Sequence, residues 1–162
     1  MFSSDLRACA EKLLAEARAK GLKIATAESC TGGLIAGLLT EIPGSSDVFE
    51  RGFVPYSNQA KEELLGVPAA LIRQHGAVSE QVARVMAEGA IRNSTAQLSV
   101  AVTGIAGPGG GSDDKPVGLV HIAAARAGEA TLHRECRFGD IGRTEVRLQS
   151  VEVALEMLQS LV

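Results

Sequence analysis

Leu98-Ser99-Val100-Ala101-Val102-Thr103, followed at once by Gly104-Ile105-Ala106-Gly107-Pro108-Gly109-Gly110-Gly111, is the stretch on which the fold turns. An apolar run with no polar alternation marks a strand covered on both faces. Just upstream, Val78–Ile91 puts Val82, Val85, Met86, Gly89 and Ala90 on one side of a helix. Further back, Leu22–Ala27 reads as a strand and Thr31 or Gly32 to Glu41 as a helix stopped by Pro43-Gly44. Gly52–Ser57 then reads as a strand, and Asn58–Leu65 as a short helix capped by Gly66. Ser3–Lys20 opens the chain with Leu6, Cys9, Ala10, Leu13, Leu14 and Ala17 at helical spacing, and Gly21 as the stop.

Downstream, a glycine-rich loop runs from Gly104 to Gly118. Strands at Val117–Ala125 and Ala130–Phe138 follow, joined at Ala127-Gly128. The last helix, Arg143–Leu161, presents Val146, Ser150, Val153, Ala154, Met157 and Leu158 on its inner face. Helices alternating with apolar strands predict an α/β fold, a three-layer α/β/α sandwich on a mixed, mostly parallel sheet of about five strands. The tight turn between the last two strands makes that part antiparallel. With 162 residues, no repeat and no linker, residues 1–162 are expected to form a single domain.

Composition narrows the function. Sixteen Lys and Arg against nineteen Asp and Glu leave a net charge of −3, too balanced for a protein that neutralises phosphate backbones. One Tyr, four Phe and no Trp exclude a base-stacking platform. Hydrophobic residues make up 46% of the chain, more than disorder allows, yet no apolar run is long enough to span a membrane. Cys9, Cys30 and Cys136 are odd in number and unpaired in spacing, and the charged N-terminal segment is no signal peptide. The expected setting is the cytoplasm, with no direct nucleic-acid partner and no membrane.

Three segments carry possible chemistry. Ala27-Glu28-Ser29-Cys30-Thr31-Gly32-Gly33 sits at a strand-to-helix junction, where free N–H groups bind anions and glycines admit a close substrate. Ser29 there is either a nucleophile facing backbone oxyanion donors or, with Thr31, a plain helix cap. Tyr56 and Lys61 lie five residues apart across a strand end and the first turn of a helix. A lysine ordinarily titrates near ~10.4, so Lys61 acts as a base only if burial lowers it; otherwise it is a solvated neighbour of Glu62 and Glu63. Thr103-Gly104-Ile105-Ala106-Gly107 leaves the most buried strand, where open α/β sheets bind ligands, but matches neither G-x-G-x-x-G nor a Walker A loop. Its length favours a binding loop over a linker.

Other features weigh less. His75 sits before Gly76 in a turn, while His121 and His133 lie on strands; none suggests a Ser-His-Asp triad. No His and Cys spacing fits a metal, and Asp113-Asp114 reads as solvated. Cys30 is a weaker nucleophile candidate than Ser29 because no His stands near it in sequence. Arg143 and Arg147, one turn apart, either grip a phosphate or cover a solvated helix face.

Together, the Ala27–Gly33 segment, Phe49–Val54 leading into Tyr56-Ser57-Asn58, Lys61, Gln74–Glu80, Thr103–Pro108 and Lys115-Pro116-Val117-Gly118 resemble the CinA C-terminal domain family. Those motifs span nearly the whole chain in order. The resemblance implies hydrolysis of the carboxamide of nicotinamide mononucleotide to nicotinate mononucleotide and ammonia, in pyridine nucleotide salvage, without metal or cofactor. It implies Ser29 as nucleophile, Lys61 as general base and Tyr56 in the same hydrogen-bond network. Substrate would be held by Cys30, Thr31, Gly32, Gly33, Asn58, Thr103, Gly104, Ile105, Ala106 and Gly107, with Arg143 or Arg147 on the phosphate. A homodimer or higher homo-oligomer is the expected assembly. Two positions depart from the family pattern: Pro55 where Thr is usual, and Ile141 where many relatives have Arg. The alternative reading is a non-catalytic nucleotide-binding or interaction module.

Overall fold

A computed structural model describes residues 1–162. Five strands form one sheet in the order β2-β1-β3-β4-β5, with β1 at Ile24–Glu28, β2 at Phe49–Phe53, β3 at Leu98–Gly104, β4 at Leu119–Arg126 and β5 at Leu132–Arg137. β1 pairs in parallel with β2 and β3, while β4 runs antiparallel to β3 and β5. Four strands therefore share a direction and β4 alone is reversed. The six helices are α1 (Ser4–Ala19), α2 (Leu34–Glu41), α3 (Asn58–Leu65), α4 (Ala69–His75), α5 (Glu80–Arg92) and α6 (Arg143–Leu161). None of them is long and apolar enough to cross a membrane.

The two faces of the sheet are built from different residues. Ile24, Leu98, Val100, Val102, Val120 and Ile122 pack against α1, α2 and α6 in the larger core. Ala25, Ala27, Ala101, Ala123 and Ala125 face the other way, under α3, α4 and α5. Side chains alternate along a strand, so this alanine face follows from sequence, and its small residues let α5 lie close. Ser99 belongs to that face and donates to the Ala87 carbonyl of α5 at 2.6 Å. The helices there also approach closely: a Cβ on Gly89 of α5 would stand 2.2 Å from the Leu65 carbonyl oxygen of α3. That approach fixes α3, the helix that carries Lys61.

The structure corrects several boundaries. The second strand is Phe49–Phe53, not Gly52–Ser57. It is an edge strand paired only with β1, so one side faces solvent and its Glu50 and Arg51 hide the strand pattern. Helix α4 was not anticipated; only Ile72 is buried among its seven residues, too few for periodicity to register. His75 ends this helix and does not lie in a turn. Helix α2 begins at Leu34, after Gly33 at φ 98, which leaves Ser29–Gly33 as loop. On α1, Cys9 is exposed and unbonded, not part of the inner face.

Candidate active site

The chain leaves β1 for β2 through α2 on one face of the sheet, and later reaches β3 through α3, α4 and α5 on the other. The strand order thus reverses between β1 and β3, and ligands in open α/β sheets bind in the crevice at such a point. Ser29 follows β1 there, and Thr103 and Gly104 end β3. Between them opens a cleft of about 220 Å³, lined also by Cys30, Tyr56, Asn58, Lys61, Ala106 and Arg143.

Glu28 and Ser29 are neighbours that leave the strand on opposite faces. Glu28 turns to α2, is fully buried, and accepts from the Ile35 and Ala36 N–H groups at 2.8 and 3.1 Å. These are donors a helix start leaves free. The anion site expected at this helix start is therefore occupied by the chain's own carboxylate. Burial pushes the Glu28 carboxyl up, against the pull of the two N–H groups.

Ser29 turns to the alanine face, its N–H fixed on the Val102 carbonyl at 2.9 Å. Lys61 comes from α3 on the same face, and its Nζ lies 3.1 Å from Ser29 Oγ. The Pro55 and Tyr56 carbonyl oxygens stand 3.1 and 3.4 Å from the same nitrogen. Lys61 is only 2% exposed, and burial lowers its pKa with no carboxylate nearby to restore it. A neutral amine has two hydrogens and one lone pair. Here two carbonyls can take the hydrogens, which leaves the lone pair for the Ser29 hydroxyl.

Pro55 fits this arrangement. The Tyr56 N–H donates to the Val54 carbonyl at 2.9 Å, an i→i+2 turn whose central residue takes φ near −75°, within the range that proline enforces. The turn aims the Pro55 and Tyr56 carbonyls at Lys61. The Tyr56 side chain does not join that network: it is 61% exposed, and its hydroxyl accepts from Arg143 at 3.2 Å. Burial pushes the Cys30 thiol up to about 11, so it is no thiolate nucleophile at neutral pH.

The remaining candidates divide. Arg143 lines the cleft, held by the Gly107 carbonyl at 2.8 Å as well as by Tyr56. Arg147 does not line it; its Nε and a terminal nitrogen donate to the Cys30 and Thr31 carbonyls at 3.0 and 3.1 Å. Gly32 donates to the Ser29 carbonyl at 3.1 Å, so its N–H is spent inside the turn. No backbone carbonyl accepts from the Cys30, Thr31 or Gly33 N–H groups. Thr31, Gly32, Gly33, Ile105 and Gly107 do not line the cleft, and the Thr103 hydroxyl is committed to the Ala77 carbonyl at 2.8 Å. Exposed Ile141 makes no contribution to the cleft.

Sequence reasoning about single residues missed Ala77 and Val78, which line the cleft, and Lys115, which donates to the His75 and Val78 carbonyls at 2.6 and 2.7 Å. Lys115 thus ties the glycine-rich loop to the wall made by the α4–α5 connection. Neither role leaves a local signal, because backbone carbonyls are the partners.

The geometry is that of a serine hydroxyl on a desolvated amine, beside unpaired backbone donors. Comparison with known proteins agrees with this picture over the whole chain. The model of the CinA C-terminal domain matches residues 6–162. The nicotinamide-nucleotide amidohydrolase PncC of Escherichia coli is 48% identical over 98% of this chain and 95% of its own length. A competence-damage inducible protein of Caldicellulosiruptor bescii is also 48% identical over 98% of this chain, which spans only 38% of that longer protein. The crystal structure of the competence/damage inducible protein CihA from Agrobacterium tumefaciens superposes with a TM-score of 0.98 at 55% identity, covering 99% of this chain and 98% of that one. By its domain match, its full-length relative and its fold, the chain belongs to the CinA C-terminal domain family.

Proposed function

We propose that this protein is a nicotinamide-nucleotide amidase that hydrolyses the carboxamide of nicotinamide mononucleotide to nicotinate mononucleotide and ammonia. The identity with PncC along nearly its full length supports the activity. The observation that carries the mechanism is the 3.1 Å separation of Ser29 Oγ and the buried Lys61 Nζ.

In this reading Ser29 Oγ attacks the carboxamide carbon while Lys61 takes the hydroxyl proton. The tetrahedral oxyanion is met by backbone N–H groups of the Cys30–Thr31 segment. The intermediate collapses as Lys61 returns the proton to the leaving nitrogen, and ammonia departs from an acyl-enzyme ester. Water then attacks the ester, gives its proton to Lys61, and the Ser29 oxygen leaves and recovers that proton. Arg143 supplies the charge for the substrate phosphate at the cleft mouth, and Tyr56 orients that guanidinium. Thr103, Gly104 and Ala106 form the wall opposite Ser29, and Asn58 flanks the opening.

The same reading treats residues 1–162 as one domain, active in the cytoplasm as a homodimer or higher homo-oligomer in pyridine nucleotide salvage. Three free cysteines are in keeping with a reducing setting.

The test is release of ammonia and nicotinate mononucleotide by the purified chain with EDTA present, beside Ser29→Ala and Lys61→Ala. Turnover lost in both variants supports the proposal. A folded wild type that releases neither product refutes it.

A further inference from the structure

We propose that Arg147 is a positioning residue for the oxyanion donors, not a ligand of the substrate phosphate; the proposal rests on the serine amidase reading above. Arg143 and Arg147 lie one turn apart on the same side of α6, and sequence offers no way to rank them. The structure separates them by what they hold. Arg143 is exposed and lines the cleft. Arg147 is half-buried and grips two successive backbone carbonyls, those of Cys30 and Thr31, at 3.0 and 3.1 Å.

Those carbonyls belong to the loop directly after the nucleophile. In a trans peptide the C=O and N–H bonds lie in one plane and point in opposite directions. The Cys30 carbonyl shares its plane with the Thr31 N–H, so drawing that carbonyl toward Arg147 turns the Thr31 N–H away from it. No backbone carbonyl accepts from this N–H or from that of Cys30. The turn is closed by the Gly32 N–H on the Ser29 carbonyl at 3.1 Å, so of the unclaimed donors in this loop those of Cys30 and Thr31 lie inside the turn that starts at Ser29, and that of Gly33 lies beyond it. Glu28 secures the other end of the loop by holding the Ile35 and Ala36 N–H groups.

The loop is thus clamped from both sides. A carboxylate fixes where the helix begins, and a guanidinium fixes how the peptide plane before it is turned. Preorganised donors need no reorientation as charge develops, which is where such groups contribute to rate. The guanidinium fork suits two adjacent carbonyls better than a single ammonium does.

The experiment compares wild type with Arg147→Met, Arg147→Lys and Arg147→Ala. The readings are kcat and KM on nicotinamide mononucleotide and on phosphate-free nicotinamide riboside, the rate of Ser29 acylation by p-nitrophenyl acetate, and the thermal midpoint. Arg147→Met is expected to lower kcat about 10²-fold with KM within about threefold, by the same factor on both the nucleotide and the nucleoside, and to slow acylation similarly. Arg147→Lys retains an intermediate rate, and ethylguanidinium restores Arg147→Ala, which a collapsed fold would not permit. A rise in KM confined to the phosphorylated substrate, at unchanged kcat, overturns the inference and makes Arg147 a phosphate ligand. A loss that follows the thermal midpoint in every variant and resists ethylguanidinium also overturns it. A wild type silent on nicotinamide mononucleotide but acylated at Ser29 in an Arg147-dependent way refutes the proposed substrate and upholds this inference. A wild type inert to all three compounds refutes both.

Discussion

Two sets of desolvated bases lie over the same face of the sheet. Lys61 reaches Ser29 at the carboxyl end of β1. The other set is His121 on β4 and His133 on β5, with Nδ1 and Nε2 of the two rings 2.9 Å apart and the rings stacked. Burial lowers the pKa of all three. Their company differs. Glu80 and Arg84 of α5, Glu135 of β5 and Lys115 of the glycine-rich loop surround the imidazoles, whereas only hydroxyl and carbonyl oxygens reach the Lys61 amine. Counter-charges around the histidines partly return what burial takes away. At Lys61 no carboxylate does, and the amine, its pKa lowered by burial, faces a hydroxyl. Burial alone does not make a reactive group; withholding the partner does.

The sharpest break of this comparison is substitution at each place. Ser29→Ala and Lys61→Met should each lower kcat at least about 10³-fold. His121→Gln combined with His133→Gln should leave kcat within about twofold of wild type. Steady-state ammonia release decides between them, and a large loss in the histidine variant would place that pair in the chemistry.

Arg143 is the exposed counterpoint to both buried sets. Removing a charge-assisted hydrogen bond is worth ~1.5–3 kcal/mol, so Arg143→Ala should raise KM for nicotinamide mononucleotide roughly 10- to 100-fold. Nicotinamide riboside should scarcely notice the change. An equal effect on both substrates would remove the phosphate from Arg143.

The third contrast is in pH. Lys61 loses its proton more readily than the 10.5 of an ordinary lysine. The pH–kcat/KM profile should therefore rise with pH on a limb whose midpoint lies below 10.5. The unfolded chain binds this proton at higher pH than the folded one, so stability rises with pH across the same window, and Lys61→Met should abolish that slope. A midpoint at or above the ordinary value would make Lys61 equivalent to a surface lysine.

The smallest effect belongs to the histidines. Both imidazoles are held below 6.5. Their contribution to stability is complete above 6.5 and falls as pH drops through the folded values. Thermal midpoints measured across that range should decline by a few degrees more in wild type than in the double glutamine variant.

Long elements with one strongly apolar face could be read from sequence: α1, α5, α6, the doubly covered β3 and the β4–β5 hairpin. The edge strand β2 could not, because half of it faces water, and α4 could not, because it buries one side chain. At the site, Ser29 and Lys61 stood out through motif, but their meeting depends on α3 being seated against Gly89 and Leu65, a long-range contact. The fate of the helix-start donors was hidden for a related reason. Glu28 precedes Ser29 by one residue and serves the opposite face, so a carboxylate that looked like part of the site caps α2 instead. Arg143 and Arg147 look alike on paper and differ only in whether an open cleft or a pair of carbonyls lies before them.

The residues described at the cleft come from nearly the full sequence: Ser29 after β1, Lys61 on α3, Thr103 on β3, and both arginines on α6. In chain order α6 follows every other element that builds the cleft. Without that helix docked, the Ser29–Lys61 pair has no guanidinium on either the Cys30–Thr31 loop or the cleft mouth. On the proposed mechanism, activity therefore depends on the docking of one helix, and loosening α6 from the sheet would disarm the site with the Ser29–Lys61 pair intact.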